Sequence, residues 1–152
     1  MPFNIVLVAP EIPNNTGNIG RLCLGTGSTL HLVKPLGFSL DDKNLKRSGL
    51  DYWPRLSLKI YDSWEEFTIQ NPNACLAFYS SHGSSNYWDL RVADNQYFIF
   101  GCESKGLPPS LLQEKETETY KIPLLPDSIR SFNLANAVSI VLFEGLRQQQ
   151  IS

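Results

Sequence analysis

The chain has 152 residues, and 13 lysines and arginines against 15 aspartates and glutamates give a formal charge of −2. This length predicts one domain, residues 1–152, and 42% hydrophobic residues are too many for a disordered chain. The longest uncharged apolar run, at 137–143, is far shorter than the roughly 20 residues of a membrane span. No signal-peptide pattern is present, and an odd number of widely spaced cysteines suits a reducing compartment, so we expect a cytoplasmic protein.

The first segments predict a strand–helix–strand unit. Residues 4–9 form a nearly continuous apolar run that ends at Pro10, which is typical of a strand buried on both faces. A helix is predicted over residues 17–26 with Gly27 as its C-terminal stop, and a second strand over residues 29–33. Units of this kind join parallel strands by a right-handed crossover.

Strands and helices alternate along the rest of the chain, which predicts an α/β fold with a mostly parallel sheet flanked by helices. The last helix is apolar nearly all round from Leu134 to Leu146, and its length argues against a strand. The predicted segments are a basic helix at 42–48, a weak edge strand at 56–61, a helix opened by a capping-box pattern at 63–66, strands at 75–79 and 97–100, a helix at 108–113, a strand at 120–122 and the long helix at 133–150.

Ligands of parallel sheets bind outside the carboxyl ends of the strands, which directs attention to three groups of strand-end loops. In the first loop Asn15 precedes the predicted helix, so a helix N-cap and a functional side chain are both open interpretations. Arg21 is predicted in the first turns of that helix, where the macrodipole disfavours a cation, and this placement indicates an anionic partner such as phosphate. The loops are residues 10–21, residues 79–83 with 101–107, and residues 122–133.

The second loop does not match the common phosphate-binding patterns, because no Lys-Ser or Lys-Thr follows Gly106 and Gly-x-Gly-x-x-Gly is absent. Glu103 within it is compatible with binding a ligand hydroxyl or amine and equally with capping the next helix. Two prolines stiffen the third loop, which suits it to wrap a flat apolar ring, and Ser131 or Asn133 is expected to cap the helix that follows.

Metal and hydrolase chemistry are poorly supported. His31 lies in a predicted strand and His82 in a loop, and no histidine or cysteine pair has the spacing of metal ligands, so we expect no metal. Ser80, Ser81 and His82 lie close together in sequence, but the Gly-x-Ser-x-Gly elbow of a serine hydrolase is absent. Both histidines are therefore expected to be structural or surface residues.

Three motifs in these loops resemble the signature motifs of the SpoU branch of the SPOUT methyltransferases. They are Asn-x-Gly-x-x-x-Arg at 15–21, Phe-Gly-x-Glu-x-x-Gly-Leu at 100–107, and Ile-Pro at 122–123 followed by Ser-x-Asn-x-x-x-Ala at 131–137. Each motif alone is weak, but three in order at predicted strand ends are specific. Residues 10–19 and 49–53 narrow the resemblance, over almost the whole chain, to the short TrmL type, which methylates the ribose of the wobble nucleotide of tRNA.

The resemblance implies a C-terminal trefoil knot, an exception to the rule that chains are unknotted. It also implies S-adenosyl-L-methionine as cofactor, with S-adenosyl-L-homocysteine as product, and a homodimer whose active site is completed across the interface. Ala135 departs from the pattern, which has serine there, and Phe132 replaces a smaller aliphatic residue. By position the cofactor contacts are Tyr79, Gly101, Ile122, Leu124 and Ser131, and the residues around the reacting ribose are Asn15, Arg21, Glu103, Ser131 and Asn133.

The role of Arg21 stays open between two interpretations. The resemblance proposes it as the base that deprotonates the 2′-hydroxyl, but arginine is effectively always protonated in proteins. A clamp on the adjacent phosphate, with phosphate or water taking the proton, fits the chemistry of guanidinium better.

A net charge of −2 gives the protein no general positive field that could attract RNA. RNA binding would therefore require the basic residues to cluster on one surface. Five of them fall between residues 43 and 59 with one acid, Asp51, among them. A solvated helix face is the simpler interpretation without the motifs. The predicted contacts to the anticodon stem-loop of tRNA are Lys43, Lys46, Arg47, Arg55 and Arg130.

Three functions are therefore compared: methylation of the wobble nucleotide of tRNA (C34 or a modified U34), methylation of another RNA such as rRNA, and RNA binding without catalysis. A short chain without an appended RNA-binding domain favours the first over the second. The complete set of motif residues argues against the third.

Overall fold

The computed structural model describes residues 3–49 and 52–151, and its centre is a sheet of seven parallel strands. The strands are β1 (Asn4–Val8), β2 (Thr29–Val33), β3 (Leu58–Tyr61), β4 (Leu76–Tyr79), β5 (Ser85–Asn86), β6 (Tyr97–Phe100) and β7 (Thr119–Lys121). Their order across the sheet is β3-β2-β1-β6-β4-β7-β5, and every paired neighbour runs parallel. The predicted α/β fold with a parallel sheet is confirmed, as is the edge position of β3.

Helices cover both faces of this sheet, because alternate strand residues supply two separate apolar cores. On one face Leu7 and Phe98 belong to a core with Cys23 and Val138; on the other, Val6 belongs to a core with side chains of the two short helices α3 and α4. The helices are α1 (Pro13–Thr26), α2 (Lys43–Gly49), α3 (Trp64–Gln70), α4 (Pro109–Glu114) and α5 (Leu134–Ile151), with 3₁₀ turns at 53–55, 87–89 and 116–118.

Helix α1 begins earlier than its sequence predicts. Pro13 occupies its first turn, where a missing N–H costs nothing, and Ile12 is its N-cap residue without a side-chain cap. Interpreting Asn15 as the N-cap is therefore wrong, since this buried side chain lies inside the first turn. Arg21 lies in the middle of α1, so the argument from the helix dipole does not apply to it. Gly27, in the left-handed conformation at φ 68°, ends the helix as predicted.

The other predicted elements agree with the structure to within a few residues. Ser63 accepts a hydrogen bond from the Glu66 N–H at 3.1 Å and so caps α3. The two-residue strand β5 and the 3₁₀ turns were not predicted, because segments this short carry no hydrophobic period. Within the part of the chain that is described, none of the helices combines the length and the apolar character that crossing a membrane requires.

His31 is a structural residue, as predicted, and is fully buried in β2. Its Nδ1 lies 2.8 Å from the Tyr61 hydroxyl and its Nε2 lies 2.9 Å from Asn4 Oδ1. Because the Tyr61 oxygen also accepts from the Asn71 amide, its own proton is free to be donated to Nδ1, which fits a neutral ring protonated on Nε2. Burial, with a smaller contribution from Lys59, lowers the pKa of His31 to about 4.

We expect this ring to make the protein less stable in mild acid. Unfolding lets His31 regain its ordinary pKa near 6.5, so the unfolded chain binds the extra proton as the pH falls from 6.5 towards 4. The free energy of unfolding should drop by about 2 kcal/mol between pH 7 and pH 5 on this account. Urea unfolding of His31→Gln should show a correspondingly smaller drop, whereas His82→Gln, at an exposed site, should keep it; equal pH dependence in all three proteins would contradict the assignment.

Candidate active site

A cavity of about 610 Å³ opens at the carboxyl ends of β6, β4 and β7, where the sequence placed its candidate loops. Three chain segments far apart in sequence surround it, together with the start of α1. Of the residues predicted for the site, nine line this cavity: Asn15, Tyr79, Gly101, Glu103, Ile122, Leu124, Arg130, Ser131 and Asn133.

A chain of side-chain hydrogen bonds connects the three motifs. The Asn15 amide Nδ2 donates to Glu103 Oε2 at 3.2 Å, and Asn15 Oδ1 accepts from the Asn133 amide at 3.2 Å. Asn15 thus joins α1 to the second loop on one side and to the start of α5 on the other. Burial of Asn15 keeps water from competing for these bonds.

The carboxylate of Glu103 is engaged by protein donors on both oxygens. Oε1 accepts from the Glu11 N–H at 2.8 Å and Oε2 accepts from the Ile12 N–H at 2.9 Å. These amides directly precede α1, where backbone N–H groups lack helical partners and a negative charge is favoured. Glu103 therefore caps helix α1 from the loop after the neighbouring strand β6, whereas α4, the next helix, has Pro108 at its N-cap without a side-chain cap.

Asn133 is the helix-capping residue of the third loop, one of the two alternatives left open by the sequence. Its Oδ1 accepts from the Asn136 N–H at 3.2 Å, while its Nδ2 serves Asn15. Ser131 lies exposed at the cavity wall. Ala135, where the motif has serine, does not line the cavity and packs at the margin of the core.

Gly101 is required by the shape of the second loop. The Cys102 N–H donates to the Gly106 carbonyl and the Gly106 N–H donates back, at 3.2 and 2.9 Å, so the loop folds onto itself. A Cβ atom on Gly101 would lie 2.1 Å from the backbone of Gly106 and Leu107. Gly106 completes the turn at φ 70°.

Tyr79 forms part of the wall, and its side chain belongs to the core. Its ring stacks on Phe100 with centroids 4.9 Å apart, and burial raises the pKa of its hydroxyl far above the ordinary value. The phenol is therefore uncharged at any physiological pH, which suits a contact to a neutral or apolar part of a ligand.

Several other residues of the cavity are absent from the predicted set of site residues. Ser80, Ser81 and His82 of the loop after β4 line it, and Ser80 Oγ accepts from the His82 N–H at 3.1 Å. Lys105 also lines the cavity, as Arg130 does, and is a second basic residue there. These residues belong to loops 79–83 and 101–107, which the sequence already indicates as ligand loops by their position at strand ends. Among the described residues, no cluster of three or more histidine, cysteine, aspartate or glutamate side chains is arranged to hold a metal ion.

Arg21 does not line the cavity of its own chain. It lies six positions after Asn15 on the same helix, which turns its side chain about 120° away from Asn15 around the helix axis. The exposed guanidinium lies over the Tyr52 ring, 4.9 Å from its centroid. Such a contact orients the cation without removing its charge.

Four residues predicted to contact RNA lie outside the cavity, on α2 and the 3₁₀ turn that follows it. Lys43, Lys46 and Arg47 are exposed on α2, and Arg55 is exposed in the turn. Lys46 forms an ion pair with Asp41 at 3.7 Å, and both side chains are largely exposed, so the pair holds its ammonium weakly.

Comparison with known proteins identifies similar chains over nearly the full length. The model of the SpoU rRNA Methylase family matches residues 2–143. The tRNA (cytidine(34)-2'-O)-methyltransferase of Burkholderia cenocepacia is 44% identical over 149 residues, which are 96% of this chain and 95% of that protein. A solved structure from a study of the 2-OH methylation of C/U34 on tRNA has 40% identity and a TM-score of 0.92, covering 99% of this chain and 97% of that one.

More distantly related proteins of known structure share the same fold. The SpoU methyltransferase AviRb from Streptomyces viridochromogenes, in complex with the cofactor AdoMet, is 21% identical with a TM-score of 0.89 and covers 99% of this chain and 62% of that one. At this identity the likeness concerns the fold.

Gly101→Ala is expected to destabilise the protein, because the added Cβ meets backbone that cannot move aside without opening the second loop. The loss should be at least about 2 kcal/mol, as for other overpacked sites. Gly25→Ala is the matched control: nothing lies within 4 Å of its Cβ position on α1, and alanine favours the helix. Thermal unfolding measures both; a Gly101→Ala variant as stable as the native chain would contradict the packing described.

Proposed function

We propose that this chain, which belongs to the SpoU methylase family, transfers a methyl group from S-adenosyl-L-methionine to the ribose 2′-hydroxyl of the wobble nucleotide of tRNA, C34 or a modified U34. The observation that carries the proposal is the convergence of all three motifs on one cavity, linked by hydrogen bonds through Asn15. Residues 1–152 would act as a single domain in the cytoplasm.

The choice of tRNA as substrate is supported by the relatives that match at both ends. The alignments cover 95% of the Burkholderia protein and 97% of the chain in the C/U34 structure, so both resemble this chain over almost their whole length. The family description refers to rRNA, which makes rRNA the second candidate substrate. RNA substrates offered side by side distinguish the two.

The cavity fits S-adenosyl-L-methionine in size and in lining. A volume of about 610 Å³ lies within the range of small-molecule sites. When bound, this cofactor supplies a methyl group attached to a sulfonium sulfur, and that sulfur is a good leaving group because it departs as a neutral thioether. The Gly101 backbone and the Ser131 hydroxyl would provide polar contacts. The apolar walls that would hold the adenine and the thioether product are formed by Tyr79, Ile122 and Leu124.

The protein's own residues then serve mainly to align the ribose. Both oxygens of Glu103 already accept hydrogen bonds, so this carboxylate positions the first loop and is poorly placed to act as a base. Asn15 and Asn133 hold each other at the cavity wall and would orient the 2′-hydroxyl by amide contacts. The hydroxyl proton leaves as the new C–O bond forms, and we assign it to phosphate or water.

Arg21 would complete the site from a second copy of the chain. In its own chain it points away from the cavity, yet the cation–π contact with Tyr52 holds it in a defined place. We therefore propose a homodimer in which Arg21 of one subunit clamps the RNA phosphate at the cavity of the other. The 55% exposed Phe143 on α5 and the half-buried Ile140 beside it offer an apolar face for this association.

The C-terminal segment would form the trefoil knot of the family. The loops after β4, β6 and β7 surround one cavity, and Gly83 approaches β7 so closely that a Cβ would lie 2.4 Å from the Tyr120 backbone. Because these loops pass so close to one another, we infer that residues 122–133 run between the loop after β4 and the loop after β6 before α5 begins.

The anticodon stem-loop would dock on the basic surface formed by Lys43, Lys46, Arg47 and Arg55, with Arg130 at the cavity. Contacts of this type release counterions, so binding should weaken steeply with salt. The wobble nucleotide would enter the cavity from this surface.

Incubation of the purified protein with tRNA and S-adenosyl-L-methionine should place one 2′-O-methyl group on nucleotide 34, detected by nuclease mapping and mass spectrometry. A tRNA with 2′-deoxyribose at position 34 should remain unmethylated. Asn15→Ala should lower turnover about tenfold or more, because misplacing reacting groups is costly. Asn18→Ala, exposed on the same helix, should retain it. Methylation of rRNA fragments but not of tRNA would overturn the substrate assignment.

Subunit mixing tests the shared site. Arg21→Ala and Asn15→Ala homodimers should each be nearly inactive, since every site lacks one group. After the two are co-refolded in equal amounts, half of the dimers contain one intact site out of two, so about one quarter of the native activity should return. As the control, two preparations of Arg21→Ala that carry different affinity tags are co-refolded, and no activity should return because every site still lacks Arg21. No recovery from two inactive parents would show that Arg21 acts within its own subunit, and an active Arg21→Ala homodimer would show that Arg21 is not needed.

A further inference from the structure

Outside the cavity, a second carboxylate mirrors the role of Glu103. Glu11 Oε1 accepts from the Ser104 N–H at 2.8 Å, and Glu11 Oε2 accepts from the Ser104 hydroxyl at 3.0 Å. Glu103, the neighbour of Ser104, in turn accepts from the N–H groups of Glu11 and Ile12. The two loops are thus joined by a reciprocal pair of bidentate contacts between residues more than 90 positions apart.

Both carboxylates lie where the same two loops meet, and a carboxylate is stabilised there by the donors that surround it. Here each receives two hydrogen bonds from the opposite loop, and these stabilise the charged form. Both donors of Ser104, helped by Cys102 and Lys105, hold the pKa of Glu11 below its ordinary value. Within the described residues neither carboxylate forms an ion pair with a basic side chain, so the loop contacts are what hold both charges in place.

Glu11 is also held from its other side. A Cβ on Gly37 would lie 2.8 Å from the Glu11 Cα and carbonyl oxygen, and the Gly37 N–H donates to the Pro10 carbonyl at 2.9 Å. The backbone of the first loop is therefore held in place by Gly37. The side chain of Glu11 then fixes the position of Ser104 in the second loop relative to this backbone.

We propose that Glu11 is a positioning residue, whose carboxylate fixes Ser104 and thereby sets the shape of the cavity wall that carries Gly101 and Glu103. Glu11 itself does not line the cavity, whereas Ser104 does. Glu11 therefore affects a ligand in the cavity only through the position of the second loop. This inference rests on the proposed methyl transfer for its kinetic readout.

Glu11→Gln keeps the size of the side chain and one acceptor oxygen, but places an amide donor opposite a Ser104 donor. The Michaelis constant for S-adenosyl-L-methionine should rise about tenfold, the effect expected on losing one hydrogen bond to a charged group. The turnover number at saturating cofactor should change less than threefold, because the catalytic groups are intact. Asp94→Asn, which neutralises an exposed carboxylate next to the amino-terminal end of β6, should change neither.

A double-mutant cycle identifies the partner. Ser104→Ala removes only the contact to Oε2, so it should raise the Michaelis constant less than Glu11→Gln, and Glu11→Gln should have a smaller effect in the Ser104→Ala background. Amide exchange followed by NMR gives a readout independent of activity: the Ser104 amide should exchange faster in Glu11→Gln while amides of β1 stay protected.

The outcomes separate the two proposals. A native chain that methylates tRNA, with Glu11→Gln unchanged in Michaelis constant and in Ser104 exchange, would overturn the role of Glu11 alone. Equal losses in both kinetic constants together with a lower melting temperature would reduce Glu11 to a general stabilising residue. A native chain without methyl transfer would refute the proposed function, and faster Ser104 exchange in Glu11→Gln would still support the contact between the loops.

Discussion

The arrangement of the site depends on the carboxylate of Glu103 bound to the two amides that precede α1. These N–H groups belong to a helix start that has no cap of its own, so the negative charge is supplied from the second loop. One side chain thereby satisfies the helix and ties together two strand ends. Asn15 extends this connection to the third loop by accepting a hydrogen bond from the Asn133 amide.

Sequence patterns predicted the fold well, because strands buried on both faces leave long apolar runs that end in glycine or proline. The start of α1 was misplaced for a specific reason: Pro13 begins the helix, and nothing local shows that the cap lies near residue 103. A donor and an acceptor 92 positions apart leave no periodic signal. For the same reason the sequence left Glu103 open between binding a ligand and capping the following helix, and did not indicate that it caps α1.

The candidate site was predicted from motifs more fully than from physical chemistry. Nine of the predicted residues do surround one cavity, but spacing alone did not distinguish a capping asparagine from a functional one. Asn133 shows why the distinction fails, since its oxygen caps α5 and its amide group binds Asn15. The placement of Arg21 depends on helix phase, and a start four residues earlier turned a first-turn cation into a mid-helix one.

The double engagement of Asn133 links the wall of the cavity to the longest helix of the molecule. A molecule that rotated the Asn133 amide away from Asn15 would also move the oxygen that caps α5, and the exposed Phe143 of this helix lies on the face proposed for pairing. Occupancy and self-association would then be thermodynamically coupled, and coupling of this kind is reciprocal. The dissociation constant of the dimer would then depend on whether ligand is bound. Dilution would dissociate the dimer and thereby change the affinity for the ligand.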